Sequence, residues 1–280
     1  MRKRLLWIVP LVLVLAAGAW YLFGRGSEGP PPVYAVEIVA TTPHDDQAFT
    51  EGLFYKDGVF YEGTGGDGTV AEGISGVRKV KPETGELLAS QDLPTPYFGE
   101  GVIAWKDKLY ELTWKDQKGF IYGLGDLAPQ GGFDYKGEGW GLTQDGTSVI
   151  ASDGTPVLKF LDPETFATKS TLTVTANGCP VKNLNELEWI DGEIYANIWQ
   201  TDLIARIDPR SGKVLSFLDI NALKPGTATQ EEVANGIAYD PAKKRIFVTG
   251  KHWPTMYEIR QGAKKETVSN QATALMTCAK

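Results

Sequence analysis

The chain has 280 residues and a formal net charge of −7. That balance excludes nucleic acid as the main partner, because phosphate binding needs clustered Lys and Arg. With 32 Gly, 16 Pro and 11% aromatic residues, the composition suits many turns and short strands rather than long helices.

Residues 1–23 read as a leader. Arg2, Lys3 and Arg4 form a basic cap, and Leu5 to Phe23 is uncharged and mostly apolar, interrupted by Pro10 and Gly18. A cleaved signal peptide has this plan, with Ala17-Gly18-Ala19 as its cleavage site. An uncleaved membrane anchor fits slightly better, because the apolar run continues through Trp20, Tyr21, Leu22 and Phe23. At about 1.5 Å per residue the run nearly spans a bilayer core. Trp20 and Tyr21 then sit near the outer interface and the basic cap stays inside. Both readings place the remaining chain outside the cytoplasm, periplasmic or secreted. Residues 24–32 (GRGSEGPPP) read as a linker that is flexible and then stiff. Residues 33–280 read as one all-β domain.

Tyr34 to Thr41 (YAVEIVAT) is a lone strand. After it, five segments share one shape: a polar or aromatic residue, then Gly or Glu, an apolar stretch, a turn and a second strand. They are EGLFYKDGVFYEGTG from Glu51, EGVIAWKDKLYELTW from Glu100, WGLTQDGTSVIASDG from Trp140, NELEWIDGEIYANIW from Asn185 and NGIAYDPAKKRIFVTGK from Asn235. Several copies continue through a strand, a Pro-x-Thr-Gly type of turn and a further strand, as in VRKVKPETGELLASQDL and LIARIDPRSGKVLSFLDI. Four short antiparallel strands in each repeat of roughly 40 to 50 residues is the plan of a β-propeller blade. Five copies predict five blades. The fifth runs out after MYEIR (Met256 to Arg260), so the lone N-terminal strand is expected to close the ring as its outer strand. No segment beyond the leader shows a sustained helical period.

In a propeller the first strand of each blade lines the central channel. Glu51, Glu100, Trp140, Asn185 and Asn235 open the five copies and should face a shared space. Trp114, Asp153, Trp199, Lys251 and Trp253, near the ends of the second strands, form a second set around the same mouth. A concave apolar pocket with a few polar groups is the expected small-ligand site. Its carboxylates have two readings. They suit a hard cation such as Ca²⁺, or one Glu walled by Trp rings has its pKa raised by desolvation and moves protons near neutral pH. The indoles favour the second. Against both stands a plainer reading, in which Glu51 or Glu100 is a solvated mouth residue. Trp105 and Trp189 read as core, and His44 and His252 as loop hydrogen-bonding groups. Gly63 to Gly68 reads as a blade loop. No His/Cys cluster has zinc spacing and no GxSxG elbow is present. Cys179 and Cys278 are the only cysteines. A disulfide between them and two free thiols are both open readings.

These residues sit in longer motifs: PHDDQAFTEGL (Pro43 to Leu53), FGEGV (Phe98 to Val102), LTW (Leu112 to Trp114), GEGWGLTQDG, SDGT, LNELEW with YANIWQTD, and NGIAYD with VTGKHWP. In these, from Tyr34 to Ile259, the chain resembles the plant and bacterial type of glutamine cyclotransferase, the papaya glutaminyl cyclase family. The resemblance implies a five-bladed propeller. It implies an acyltransferase that converts N-terminal glutamine of peptides and proteins to pyroglutamate with release of ammonia. It also implies that no metal or cofactor is required, with a structural Ca²⁺ ion in the channel the one metal the plan leaves room for. By resemblance Glu100 is the general acid/base. Trp114, Trp140 and Trp199 wall the substrate pocket, Asn185 helps hold the substrate, and Phe49, Phe98 and Lys251 match other site positions. At Glu51 the chain departs from the family's usual FTQGL. A carboxylate there either anchors the substrate's ammonium or raises the pKa of Glu100. The protein is expected to be a monomer that meets the membrane only through its N-terminal segment. Two alternatives come from other classes: a Ca²⁺-dependent propeller hydrolase of the lactonase kind, and a non-catalytic propeller that binds peptides.

Overall fold

In a computed structural model of the protein, the described residues are 29–66 and 73–278. The leader of residues 1–23 and most of the linker lie outside them, as does the loop after Gly66. Among the described residues no helix is long and apolar enough to cross a membrane.

The chain opens with β1 (Val33–Pro43). Three four-stranded antiparallel sheets follow. The first holds β2 (Phe49–Lys56), β3 (Val59–Gly65), β4 (Gly76–Val80) and β5 (Leu87–Asp92). The second holds β6 (Gly99–Trp105), β7 (Lys108–Thr113), β8 (Lys118–Gly123) and β9 (Pro129–Asp134). The third holds β10 (Leu142–Gln144), β11 (Val149–Ala151), β12 (Val157–Leu161) and β13 (Thr168–Thr173). A small hairpin, β14 (Thr175–Ala176) with β15 (Cys179–Pro180), leads to the rest. That remainder comprises β16 (Leu184–Ile190), β17 (Glu193–Ile198), β18 (Leu203–Ile207), β19 (Val214–Asp219), β20 (Ala234–Asp240), β21 (Arg245–Gly250) and β22 (Thr255–Lys264). Together with β1 these seven form an eight-stranded sheet in the order β16-β17-β18-β19-β1-β22-β21-β20.

The lone N-terminal strand therefore pairs as expected with the last one. Thr42 lies opposite Met256 and Ile38 opposite Ile259, antiparallel, and the other edge of β1 runs parallel to β19. The arrangement is propeller-like, and burial follows it. β2, β6, β16 and β20 are buried along nearly their whole length, whereas β5, β9 and β13 are mostly exposed. β19 is buried because β1 covers its edge.

Local chemistry explains the turns. Asp57-Gly58 and Asp191-Gly192 join β2 to β3 and β16 to β17, and all four residues have positive φ. This is the two-residue hairpin that Asp-Gly favours, because its twist matches that of the flanking strands. At the centre the first strands come very close. A Cβ on Gly52 would lie 2.6 Å from the Val102 nitrogen, and one on Gly141 2.2 Å from the Asn185 oxygen. The fourth copy carries Glu186 at this position. Its carboxylate accepts the backbone N–H groups of Leu53 (3.3 Å) and Ile237 (2.9 Å), so one side chain ties β16 to β2 and β20. Glu188, one pleat further, accepts the Tyr239 N–H at 2.9 Å. Burial pushes Glu186 well above the usual carboxylate range, aided by the neighbouring charge of Glu188, and burial pushes Glu188 up to about 8.

Helical structure is limited among the described residues to a 3-10 turn, Asn221–Leu223, and one short helix, α1 (Asn270–Leu275). The sequence showed no helical period here because α1 is barely longer than one turn. Ser269 caps it by accepting the Ala272 N–H, and Ala272 is fully buried against the core around β16 to β18. Cys179 and Cys278 are joined in a disulfide with a Cα–Cα distance of 4.9 Å, across a separation of 99 residues. Closing a loop of that length stabilises a fold by roughly 4 to 5 kcal/mol on a chain-entropy estimate.

Glu188 provides a test of the channel. Its carboxyl titrates near 8 when folded and at 4.5 in the reference state. The folded protein thus binds more protons between those values, and this group's contribution falls as pH rises from about 4.5 to about 8. Glu188→Gln keeps an acceptor for Tyr239 and removes the titration. It should stabilise the protein on the order of 1–3 kcal/mol at pH 8 and much less at pH 5. Thermal denaturation at both pH values measures the difference, and an equal shift at each would show that Glu188 titrates normally.

Candidate active site

Four first strands and the ends of three second strands deliver side chains to one cavity of about 440 Å³. Phe49 and Glu51 come from the start of β2, Phe98 immediately precedes β6, and Glu100 is its second residue. Trp140 lies two residues before β10, and Asn185 lies in β16. Trp114, Trp199 and Lys251 directly follow β7, β17 and β21. The nine positions weighed under the family resemblance, Glu51 among them, all line this cavity. Thr229, Glu231 and Glu232, from the connection between β19 and β20, and His252 line it as well.

The aromatic walls are built from edge contacts. Trp140 and Trp199 meet with ring centroids 5.8 Å apart and planes at 84°. Phe98 contacts both Phe49 (6.1 Å) and Trp114 (5.9 Å). Gly65 makes room for this packing, since a Cβ there would lie 2.3 Å from the Phe98 ring. The polar floor is a charge arrangement. Lys251 Nζ lies 2.6 Å from Glu51 Oε1 and 4.4 Å from the centroid of the Phe49 ring. Asn235 Nδ2 donates to Glu51 Oε2 at 2.9 Å and to the Thr50 carbonyl at 3.0 Å. Both Glu51 oxygens are therefore engaged. Lys251 is thus the counter-ion that the protein itself supplies to Glu51.

Glu100 is only 5% exposed, and no described residue hydrogen-bonds its carboxyl. Burial pushes it well above the usual carboxylate range. The Glu51 charge adds to the rise, Lys251 opposes it, and Glu138 adds again. Burial also holds Glu51 up, against the pull of the Lys251 charge and hydrogen bond. Asn185 is buried and its side chain bonds no described residue, with Oδ1 fully enclosed. A free buried carboxamide and a protonatable carboxyl in an apolar cavity are suited to holding a polar ligand and exchanging protons with it. Both lack the partners that buried polar groups normally find within the protein.

Three residues of the expected mouth lie elsewhere. Trp253 is fully buried, and its Nε1 donates to the Glu232 carbonyl at 3.0 Å. Asp153 turns away to Lys159 (2.8 Å) and Thr155, because the Trp140 ring lies against Gly154 and fills the place. Asn235 supports Glu51 and does not line the cavity. Trp105 and Trp189, expected in the core, are half-buried around a separate depression at the Asp57 and Asp191 turns. His44 and His252 do serve loops: a ring nitrogen of each meets a carbonyl, that of Trp253 at 2.5 Å and that of Asp46 at 2.9 Å.

Sequence reasoning missed Glu138. Its Oε2 accepts the indole N–H of Trp114 and that of Trp140, each at 3.0 Å. The signal was present in the GEGWG motif, where a carboxylate stands two residues before a pocket indole. Nothing marked Thr229, Glu231 and Glu232, whose segment has no counterpart in the other repeats.

Comparison with known proteins bears on this pocket. The sequence pattern of the family described as glutamine cyclotransferase matches residues 11–261. A glutaminyl-peptide cyclotransferase of Arabidopsis thaliana is 37% identical over 276 residues, covering 92% of this chain and 84% of that protein. The crystal structure of Myxococcus xanthus glutaminyl cyclase superposes with a TM-score of 0.77 at 34% identity, over 84% of this chain and all of that one. On this evidence the chain belongs to the glutamine cyclotransferase family.

Proposed function

We propose that the protein is a glutaminyl-peptide cyclotransferase, which converts the N-terminal glutamine of peptides and proteins to pyroglutamate and releases ammonia. The observation that carries this reading is Glu100: a buried carboxyl, unbonded by the protein, in an indole-walled cavity beside the free carboxamide of Asn185. The α-amine of the substrate gives a proton to Glu100 and attacks its own γ-carboxamide carbon. A C–N bond forms to the amine, the bond to the carboxamide nitrogen breaks, and Glu100 returns the proton to the leaving group, which departs as ammonia. A carboxyl held above its usual range suits both transfers near neutral pH, and such positioned acid–base work is typically worth about 10²- to 10⁴-fold. Trp114, Trp140, Trp199, Phe49 and Phe98 keep the side chain folded back on the amine, which favours ring closure. Asn185 offers donors to the carboxamide oxygen.

The reaction is read as metal-free and without a cofactor. Supporting this, the channel-mouth carboxylate Glu51 already receives Lys251 and Asn235 at its two oxygens. The architecture is read as a five-bladed propeller in which β20, β21, β22 and β1 make the last blade and β16 to β19 the one before it. One chain supplies the whole pocket, as suits a monomer. The disulfide favours an oxidising compartment. With the basic cap and apolar run of residues 2–23, it supports reading the domain as extracytoplasmic, held at the membrane by its leader.

Ammonia release from a glutamine-initiated peptide tests the reading. Release should persist in EDTA and fall by about 10²- to 10⁴-fold in Glu100→Gln. Loss of release in EDTA would favour a metal-dependent mechanism, and binding without release would favour a peptide-binding protein.

Glu51→Gln tests the charge arrangement. It removes the negative charge that helps hold Glu100 up and leaves the opposing Lys251 charge. The pH limb of kcat that reports Glu100 should therefore move to lower pH. Leaving Lys251 buried with only an amide acceptor should cost about 1–3 kcal/mol of stability. An unmoved limb would show that Glu51 and Glu100 are not electrostatically coupled.

A further inference from the structure

The two indoles that share Glu138 come from different sheets. Trp114 follows β7, and Trp140 precedes β10. Between these residues, among the described contacts, the link is one atom. Glu138 Oε2 accepts both N–H groups at 3.0 Å. A carboxylate oxygen has lone pairs for two donors, and its charge strengthens both bonds.

The backbone holds Glu138 in place for this. Gly139 donates its N–H to the Trp114 carbonyl, and Trp114 donates its own to the Phe98 carbonyl, both at 3.0 Å. Gly139 lies so close to Thr113 and Tyr135 that a Cβ would fall 2.9 Å from the Thr113 oxygen and 2.4 Å from the Tyr135 hydroxyl. Gly137, on the other side, has φ +91°. Glu138 is thus an exposed residue on a fixed stretch of backbone. Trp114, itself 37% exposed, lacks the burial that would hold its ring by packing alone. Lys115 Nζ lies 3.4 Å from the centroid of the Trp114 ring, so this indole is held by two charged groups.

We propose that Glu138 is a positioning residue of the pocket, which sets the orientation of the Trp114 and Trp140 walls by holding both indoles on one carboxylate oxygen. The part of the proposal that concerns substrate rests on the cyclotransferase reading, whereas the part that concerns the indoles does not. A second consequence follows from its charge, which helps keep Glu100 above the usual carboxylate range.

Two measurements on the purified protein separate these parts, using Glu138→Gln and Glu138→Ala; the residue is exposed, and thermal denaturation confirms that each variant folds. First, the indole N–H signals in ¹H–¹⁵N spectra are assigned through Trp114→Phe and Trp140→Phe. Both signals should move together in Glu138→Ala. Second, with a glutamine-initiated peptide, Glu138→Ala should raise KM roughly tenfold and change kcat less, since the walls contact ground and transition states alike. The limb that reports Glu100 should also move to lower pH. Glu138→Gln, which keeps an acceptor oxygen, should restore part of the KM and none of the pH shift. Indole signals indifferent to Glu138 would overturn the proposal, and so would moved signals with unchanged KM in an active enzyme. If the wild type released no ammonia, the functional reading would fail, and the spectra alone would decide the role of Glu138.

Discussion

The close approach of the first strands around one axis is the constraint on which the molecule depends. Gly52, Gly101 and Gly141 each face neighbouring backbone at distances where a Cβ does not fit. Only at the fourth copy does a side chain occupy this position, and Glu186 spans the gap by accepting N–H groups from two other first strands. The crowding aims the site. With the glycine of each copy pressed on its neighbour, the preceding residue stands at the end of the channel. That places Glu51, Glu100, Trp140 and Asn185 around one opening. The strands around this opening are buried along most of their length, and such well-packed backbone resists local opening.

That rigidity lets the pocket keep two buried carboxylates close together. Unpaired, Glu51 and Glu100 would repel in a medium of low dielectric, and one would stay protonated at the expense of the other. Lys251 resolves the conflict by pairing with Glu51, and Asn235 takes its second oxygen. Glu100 is left as the group that titrates without a partner. Burial sets the direction of its shift, and Glu51, Lys251 and Glu138 adjust it in opposite senses. A carboxylate at position 51, where the family's usual residue is an amide, is therefore accommodated by this chain.

Much of this was legible in the sequence. The repeat unit exposed the strand sets, and the unpaired run from Tyr34 found its place beside Met256 to Arg260 because an outer strand was missing there. Two offsets, at the start of the first strand and the end of the second, located most of the pocket. The offsets misled where a residue had a better partner nearby. Lys251 already fills the fifth copy's place, so Trp253 folds under Gly250, and Asp153 pairs with Lys159. Glu138 was hidden because its partners are indoles from two copies, one of them 24 residues away. The disulfide was undecidable because two thiols in a sequence carry no distance, and only the fold brings Cys179 to the tail.

The pocket has a second layer that explains why the Glu51–Lys251 pair stays in register. His44 connects the Trp253 carbonyl (2.5 Å) to Glu62 (2.9 Å), and Glu62 also accepts Thr50 Oγ1 at 2.7 Å. Thr50 and Trp253 flank Glu51 and Lys251 in the chain, so this buried network joins the two backbones that carry the pair. Burial acts to raise Glu62, but His44, Arg78 and Thr50 outweigh it and bring the carboxyl down to about 2. Burial acts likewise to lower His44, and the charge and hydrogen bond of Glu62 outweigh it, so His44 is raised. The shifts favour a charged His44 against a charged Glu62, and this buried ion pair braces the two segments that carry Glu51 and Lys251.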